Sequence, residues 1–330
     1  MDIIKIGIIG YGNLGRGAVK AIRQYSDLKL TAVFTRRDPS DLQTAEQNVP
    51  FLPLETAGKY VEDIDVMILC GGSATDLPLH GPYYAGLFNT VDSYDTHARI
   101  PKYFAAVNES ALAGKKTAAI SIGWDPGLFS LFRMMGEAIL PLGKEYTFWG
   151  EGVSQGHSEA IRKVTGVRKA IQYTIPVEKS LEKVRNGDEP ALSPREKHIR
   201  QCFVVPEAGA DREIISHAIK SMPDYFADYD TRIAFITEEE FARDHTRMPH
   251  GGFVIRSGRT GSGNAENKQI MELSLKLESN PEFTSSILIA YVRAVYRLNK
   301  KGEIGAKTIL DIPPIYLSDA PPEELRRRLL

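Results

Sequence analysis

The feature that most constrains this chain is the stretch IIKIGIIGYGNLGRGAVKAI, residues 3–22. An apolar run breaks at Gly10-x-Gly12-x-x-Gly15 and resumes with apolar residues at helical spacing. A strand, a glycine turn and a helix in that order form the first half of a β-α-β unit that binds a dinucleotide. Gly10 permits the turn, Gly12 lets the backbone approach a pyrophosphate, and Gly15 lets the helix lie close to its strand. The helix N-terminus adds amides and a partial positive charge. The runs KLTAVFT, DVMILCGG, NTVDSYD and KTAAISIG follow, separated by helical patterns. Nearly continuous apolar strands between helices predict an α/β fold with a Rossmann-type doubly wound parallel sheet. At 330 residues the chain exceeds what one core usually organises, which points to two domains, or to one large one with an insertion.

The texture changes after residue 125. DPGLFSLFRMMGEAIL predicts a helix with Asp125 as N-cap and Pro126 in its first turn. The runs EYTFWGEGV, KAIQYTIPV, IRQCFVVPE, YDTRIAFIT and IMELSLKLES predict a second α+β domain with a largely antiparallel sheet. In the last run Met271, Leu273, Leu275 and Leu277 alternate with polar residues, as in a strand covered on one face. DREIISHAIKSM adds a helix, RNGDEPALSPREKH reads as a surface loop or mobile flap, and SSILIAYVRAVYRLNKKG reads as an amphipathic helix with a glycine stop.

A net charge of −1 argues against nucleic-acid and membrane-surface partners. The N-terminus is charged at Asp2 and Lys5 and goes straight into a strand, so no signal peptide is expected, and no apolar run is long enough to span a bilayer. Two cysteines, Cys70 and Cys202, make a disulfide framework improbable and a reducing cytoplasm the default. Cys70 reads as a small core residue. No metal is expected, because His245 and His250 lack a third ligand at suitable spacing. The tail PPEELRRRLL reads as a solvated helix end.

Candidate functional residues gather at predicted strand ends. Where the second strand meets an adenosine ribose, an acid would accept from a 2′-hydroxyl, but this chain has Arg36 and Arg37. Arginines there match a 2′-phosphate, each contact contributing roughly 1.5–3 kcal/mol, and imply NADP. Asp95 and Asp125 stand at the ends of the last two of these five strands; together they suit a cationic amine, whereas singly they read as a turn former and a helix cap. In FWGEGVSQGHSEA, amides around Gln155 and Gly156 can bind an anion and Trp149 offers an indole donor; Arg200 and His250 add polar groups. His157 is a candidate for activating water, or a helix-start residue.

With GYGNLGR, CGGSATD, TVDSYDTH, GWDPG, FWGEGVSQGHS, RQCFVV, MPDYF and MPHGG in this order, the chain resembles the meso-diaminopimelate dehydrogenases almost end to end. The resemblance implies NADP-dependent reversible oxidative deamination at the D-centre of meso-2,6-diaminopimelate, giving L-2-amino-6-oxopimelate and ammonia, in lysine biosynthesis. It implies a homodimer. Residues 1–122 would form the NADP-binding Rossmann domain, with a C-terminal segment of about 283–330 packing back on it. Residues 123–282 would form the dimerisation and substrate-binding region. Cofactor contacts carried over by motif are Gly10, Tyr11, Gly12, Asn13, Leu14, Thr35, Arg36, Arg37, Cys70, Gly71, Gly72 and Ser73. To these the later motifs add Ser93, Tyr94, Asp95, Ile122, Gly123, Trp124, Asp125 and Pro126. Substrate contacts fall on Asp95, Trp124, Asp125, Trp149, Gln155, Gly156, Thr174, Arg200, His250 and Asn280, with Asp95 and Asp125 catalytic. Gly71 and Ile122 depart from the family pattern at positions that contact through backbone. Rival readings are an imine reductase or a sugar dehydrogenase of the same build, the latter lacking its Glu-Lys-Pro motif here, or a non-catalytic NADP-binding protein.

Overall fold

The computed structural model describes residues 3–43 and 48–330. The chain forms two compact units, one of Met1–Leu131 with Pro281–Leu330 and one of Phe132–Asn280.

In the first unit the strands are β1 (Ile4–Ile9), β2 (Leu28–Thr35), β3 (Phe51–Pro53), β4 (Val66–Leu69), β5 (Asn89–Asp92) and β6 (Thr117–Ala119). With the late strand Gly305–Lys307 they form one parallel sheet, ordered Gly305–Lys307, β6, β5, β4, β1, β2, β3. The order reverses direction at β1, the point where open α/β sheets hold ligands beyond their carboxyl ends. β4 and β5 are buried along their whole length, which is why their sequences run apolar instead of alternating. Phe34, Met67, Phe88 and Tyr103 pack in the core against this sheet. The helix Asn280–Lys300 sends Arg293 onto Asp27 through two hydrogen bonds of 2.7 Å, and Gly302 (φ +79°) ends the helical run. β3 and Gly305–Lys307 are each three residues long, too short to show a periodicity.

The second unit contains β7 (Gly143–Trp149), β8 (Gly152–Val153), β9 (Val167–Pro176), β10 (His198–Pro206), β11 (Asp230–Phe235), β12 (His250–Thr260) and β13 (Asn267–Leu277). Among the described residues these form two sheets, β11-β10-β9-β8 and β13-β12-β7. Pairing is antiparallel except between β10 and β11. The expected antiparallel character is therefore present, but divided over two sheets. Ile161, Cys202, Ile215, Ile219 and Phe226 form the core under the first of them. β12, the middle strand of the second sheet, went unanticipated because its His-Gly-Gly start reads as a loop. A Cβ on Gly251 would meet the Leu275 carbonyl oxygen at 2.1 Å, and one on Gly252 the Phe148 carbonyl oxygen at 2.3 Å. The glycines are there because both neighbouring strands approach closely.

Two local expectations need correction. RNGDEPALSPREKH is not a plain loop: Pro194–Lys197 is helical behind a Ser193–Glu196 capping box, and β7 holds the stretch through Lys144 and Tyr146, which donate to the Glu189 and Pro190 carbonyls at 3.0 and 2.9 Å. The helix expected to start at Asp125 begins at Leu128, so neither Asp125 as N-cap nor Pro126 in the first turn is correct. Gly127 turns with φ +138°, and the Leu128 and Phe129 amides donate to the carbonyls of Gly123 and Trp124 at 3.0 and 2.8 Å. Backbone carbonyls thus satisfy the first two amides of this helix, and Ser130 Oγ accepts from the Gly127 amide at 3.1 Å.

Candidate active site

In the first unit, the loops after β1, β2 and β4 enclose a cavity of about 340 Å³. Its lining brings together Gly10–Gly12, Thr35–Arg37 and Cys70–Gly72. Gly10 has φ +92°, and a Cβ on Gly15 would meet the Gly10 carbonyl at 2.2 Å, so the protein itself requires these two glycines. Gly12 differs: a Cβ there would meet nothing within 4 Å. Its bare backbone faces open space, as a close-lying pyrophosphate requires, so the residues fit a dinucleotide.

Arg36 and Arg37 stand where β2 ends. Thr35 Oγ1 accepts from the Arg37 amide at 3.1 Å, and the Arg37 guanidinium donates to the Tyr11 carbonyl. Arg36 is 70% exposed and pairs with Asp76 at 3.0 Å. A Cβ on Gly71 would meet the Asp76 Cβ at 2.6 Å, which accounts for glycine at that departure from the family pattern. Cys70 as a residue is half-buried, while desolvation of its thiol pushes the pKa up to about 12, too high for a nucleophile at neutral pH.

The remaining residues of this unit lie outside that cavity, at the helix start and beyond β5 and β6. Asn13 and Leu14 open the first helix, and the Leu14 carbonyl accepts from Ser285. Ser73 Oγ accepts from the Asp95 amide at 3.1 Å, joining the loops after β4 and β5. Asp95 is exposed, and Ser93, Asp125 and Pro126 are half-buried. Tyr94 is buried and stacks on Tyr103 with centroids 4.0 Å apart. The Ile122 amide donates to the Asp92 carbonyl at 2.8 Å, and Trp124, next to Gly123, packs edge-on against Phe129.

One buried side chain ties these loops together, and sequence reasoning missed it. Asp92, 1% exposed, accepts from the amides of Tyr94 (2.9 Å) and Ser121 (3.1 Å) and from the Tyr103 hydroxyl (2.7 Å). Burial raises its pKa to about 6, against the lowering effect of these donors. The loops bearing Asp95 and Asp125 are thus fastened to one carboxylate. In TVDSYDTH it stands three residues before Asp95 and reads only as the end of a strand.

In the second unit, side chains from separate segments converge. Gln155 and Gly156 open an eight-residue helix capped by Ser154, and a Cβ on Gly156 would meet nothing within 4 Å. Gln155 Nε2 reaches Met248 Sδ at 3.4 Å, and the Asn280 amide donates to the Met248 carbonyl at 3.0 Å. Thr174 and Arg200 are cross-strand partners, and Arg200 Nη1 donates to Thr174 Oγ1. Gly152 pairs with Thr174, and a Cβ on Gly152 would meet the His250 ring at 2.8 Å.

Arg200 is 5% exposed and lies over the Tyr229 ring at 3.9 Å; among the described residues its Nε has no hydrogen-bond partner and it pairs with no carboxylate. Burial pulls its pKa down, which marks an under-compensated cation. Trp149 donates its backbone amide to His198 Nε2 at 2.9 Å and stacks on that ring. Burial, then the Arg200 charge, pushes His198 down to about 3, so it stays neutral and accepting. His157, at the helix start, is similarly pushed to about 4 and bonds Ser154 Oγ through Nδ1 at 2.7 Å. His198 and Tyr229 were not singled out from sequence. The period-2 face shared by His198, Arg200 and Cys202 is the signal that would have found the first.

A family model for the diaminopimelic acid dehydrogenase C-terminal domain matches residues 123–279. The chain is 59% identical over 330 residues to a meso-diaminopimelate D-dehydrogenase of Ureibacillus thermosphaericus, covering 100% of both. A crystal structure of a multiply substituted meso-diaminopimelate dehydrogenase from Clostridium tetani E88, with DAP, is similar at TM-score 0.93 and 54% identity, covering 99% of this chain and 100% of that one. An engineered D-amino acid dehydrogenase bound to NADP+ is similar at TM-score 0.86 and 42% identity, with 100% of both chains covered.

Proposed function

The chain belongs to the meso-diaminopimelate dehydrogenase family, and on that premise we propose a division of labour among its residues. The protein is an NADP-dependent oxidoreductase acting on the CH–NH2 group at the D-centre of meso-2,6-diaminopimelate. With water it yields L-2-amino-6-oxopimelate, ammonia and NADPH, reversibly. NADP+, when bound, supplies the electron-pair acceptor.

The glycine loop receives the pyrophosphate, and Arg36 and Arg37 receive the 2′-phosphate. Asn13, Leu14, Ser73, Ser93, Tyr94, Ile122 and Pro126 complete the cofactor contacts. Asp95 and Asp125 orient the reacting amine and stabilise the cationic imine that follows its oxidation. Trp149 and the amides of Gln155 and Gly156 hold the D-end, and Arg200, Thr174 and His250 hold the distal L-centre carboxylate, with Asn280 beside them. The observation that carries this reading is Arg200, a buried planar cation to which the described residues offer a hydroxyl and an aromatic ring but no anion.

The protein acts as a cytoplasmic homodimer in lysine biosynthesis. Free Cys70 and Cys202 suit a reducing compartment. The exposed Met134, Met135, Ile139 and Leu142 of the second unit offer an apolar face for a second copy. Sedimentation of the purified protein at a monomer's mass would refute the dimer.

The deciding assay is NADPH formation with each stereoisomer of the substrate. Turnover is expected with the meso form and little with the L,L form, and Asp125→Asn is expected to cut turnover by about 100-fold or more. Near-normal activity of that variant would remove Asp125 from the catalytic set.

A further inference from the structure

Asp76 stands in the cofactor cavity among the glycine loops and beside the arginine pair, with no role in the assignments above. Its Oδ1 lies 3.0 Å from Arg36 Nη2, while its Oδ2 accepts from the Gly72 amide at 2.9 Å and from Thr75 Oγ1 at 3.4 Å. The two partners differ in freedom: the Asp76 side chain is 16% exposed and the Arg36 side chain 70%. The carboxylate is the fixed member, anchored to loop backbone, and the guanidinium is the movable one.

Burial works to raise the Asp76 pKa, but the Gly72 amide and the charge of Arg36 hold it below the usual carboxylate range. Asp76 is therefore an anion at neutral pH. His80, beside it in the same cavity, is held below its ordinary value by burial and adds no full counter-charge there. A 2′-phosphate brings a charge of about −1.5 to −2. To reach it, Arg36 must be shared with, or drawn from, a carboxylate that itself repels the phosphate.

We propose that Asp76 is a specificity-determining residue that tempers NADP affinity by competing with the 2′-phosphate for Arg36. The inference rests on the 2′-phosphate role given to Arg36 above. Its consequence is faster exchange of oxidised for reduced cofactor, since affinity differences within one site reside mostly in dissociation rates.

The test is Asp76→Asn in the full-length protein, which keeps an acceptor for Gly72 and removes the charge. Binding of NADP+, NAD+, 2′,5′-ADP and 5′-AMP is measured by calorimetry. NADP+ and 2′,5′-ADP are expected to bind about two- to fivefold more tightly, the range for an exposed ion pair, with NAD+ and 5′-AMP unchanged. In an Arg36→Ala background the gain should vanish. Asp76 precedes the helix Leu77–Ala85, a position that serine also suits, so Asp76→Ser should give the same sign if the first variant folds poorly. Unchanged or weaker NADP+ binding, or an equal gain for NAD+, overturns the proposal. If Arg36→Ala leaves the NADP+ to NAD+ ratio unchanged, the 2′-phosphate assignment and this inference fall together. If that ratio shifts but Asp76→Asn does not tighten binding, only the inference falls.

Discussion

Arg293 in the first unit and Arg200 in the second are both almost fully buried, at 2% and 5% exposure, yet they are built oppositely. Arg293 meets Asp27 through two 2.7 Å hydrogen bonds and lies 4.2 Å over the Tyr25 ring. Burial opposes its charge, but Asp27 more than offsets this and the net pKa is raised. Arg200 has the aromatic ring without a carboxylate among the described residues, and burial prevails. Asp27 compensates the first charge within its own unit, whereas the second, left short of a counter-ion among the described residues, is the one proposed above to meet a ligand carboxylate.

Substituting Met at each arginine is the hardest test of that contrast. Arg293→Met leaves Asp27 without its counter-ion and should cost about 3–5 kcal/mol of stability in denaturant unfolding, with activity per folded molecule retained. Arg200→Met should do the reverse. Stability should hold or rise, while turnover on meso-diaminopimelate falls by a margin equivalent to about 2–5 kcal/mol with NADP+ binding intact. If both variants lose stability alike, the contrast is broken.

Replacing Arg36 and Arg37 together with Ala should weaken NADPH relative to NADH by about 3 kcal/mol, the low end for two charged contacts because Arg36 is exposed. Equilibrium binding of the two cofactors measures it. An unchanged ratio would remove the 2′-phosphate from the first unit's account.

Acid sharpens the contrast without any substitution. His157 and His198 in the second unit have folded pKa values near 4 and 3, below the 6.5 of the unfolded chain. Their contribution is fully present above pH 6.5 and is lost as pH falls through that window. Asp92 in the first unit is raised from 3.8 to about 6, so its folded form takes the proton first. That contribution is present below 3.8 and is lost as pH rises through 6. His245 adds to the loss in the second unit, and His80 opposes the gain in the first. Going from pH 7 to pH 5 should therefore lower amide-exchange protection in the second unit relative to the first, with both histidines and Asp92 moving the difference in the same direction. Equal changes in both would refute the assignment.

The first unit was legible because its chemistry sits on backbone. A glycine that exists for φ or close approach, and an arginine at a strand end, leave their mark in a single short stretch. The second unit presents side chains from β9, β10, β12 and the helix at Gln155, and only folding brings these segments together. Arg200 was visible as a residue type, but the ring of Tyr229 beneath it was not, because that contact spans separate segments. His198 was passed over beside Arg200 because the period-2 face they share marks an inward-facing residue, not the Trp149 amide that it accepts from. Asp92 stayed hidden because a carboxylate that satisfies backbone amides looks the same in sequence as one at the surface. The helix start at Asp125 was misplaced for a related reason, since the carbonyls of Gly123 and Trp124 accept from its first two amides and sequence does not mark such backbone acceptors.

The first unit closes with Pro281–Leu330, and Gly305–Lys307 completes its sheet, so synthesis and folding run in different orders. On a ribosome the second unit's residues are all made while the strand beside β6, and the arginine that answers Asp27, are still untranslated. At about 5–20 residues per second, those partners arrive a few seconds later. Nascent chains stalled after enough further residues to clear Asn280 from the exit tunnel, but before Arg293 emerges, should resist protease across 132–280 while remaining cleavable around Asp27. The unit begun first is the one the cell must wait for.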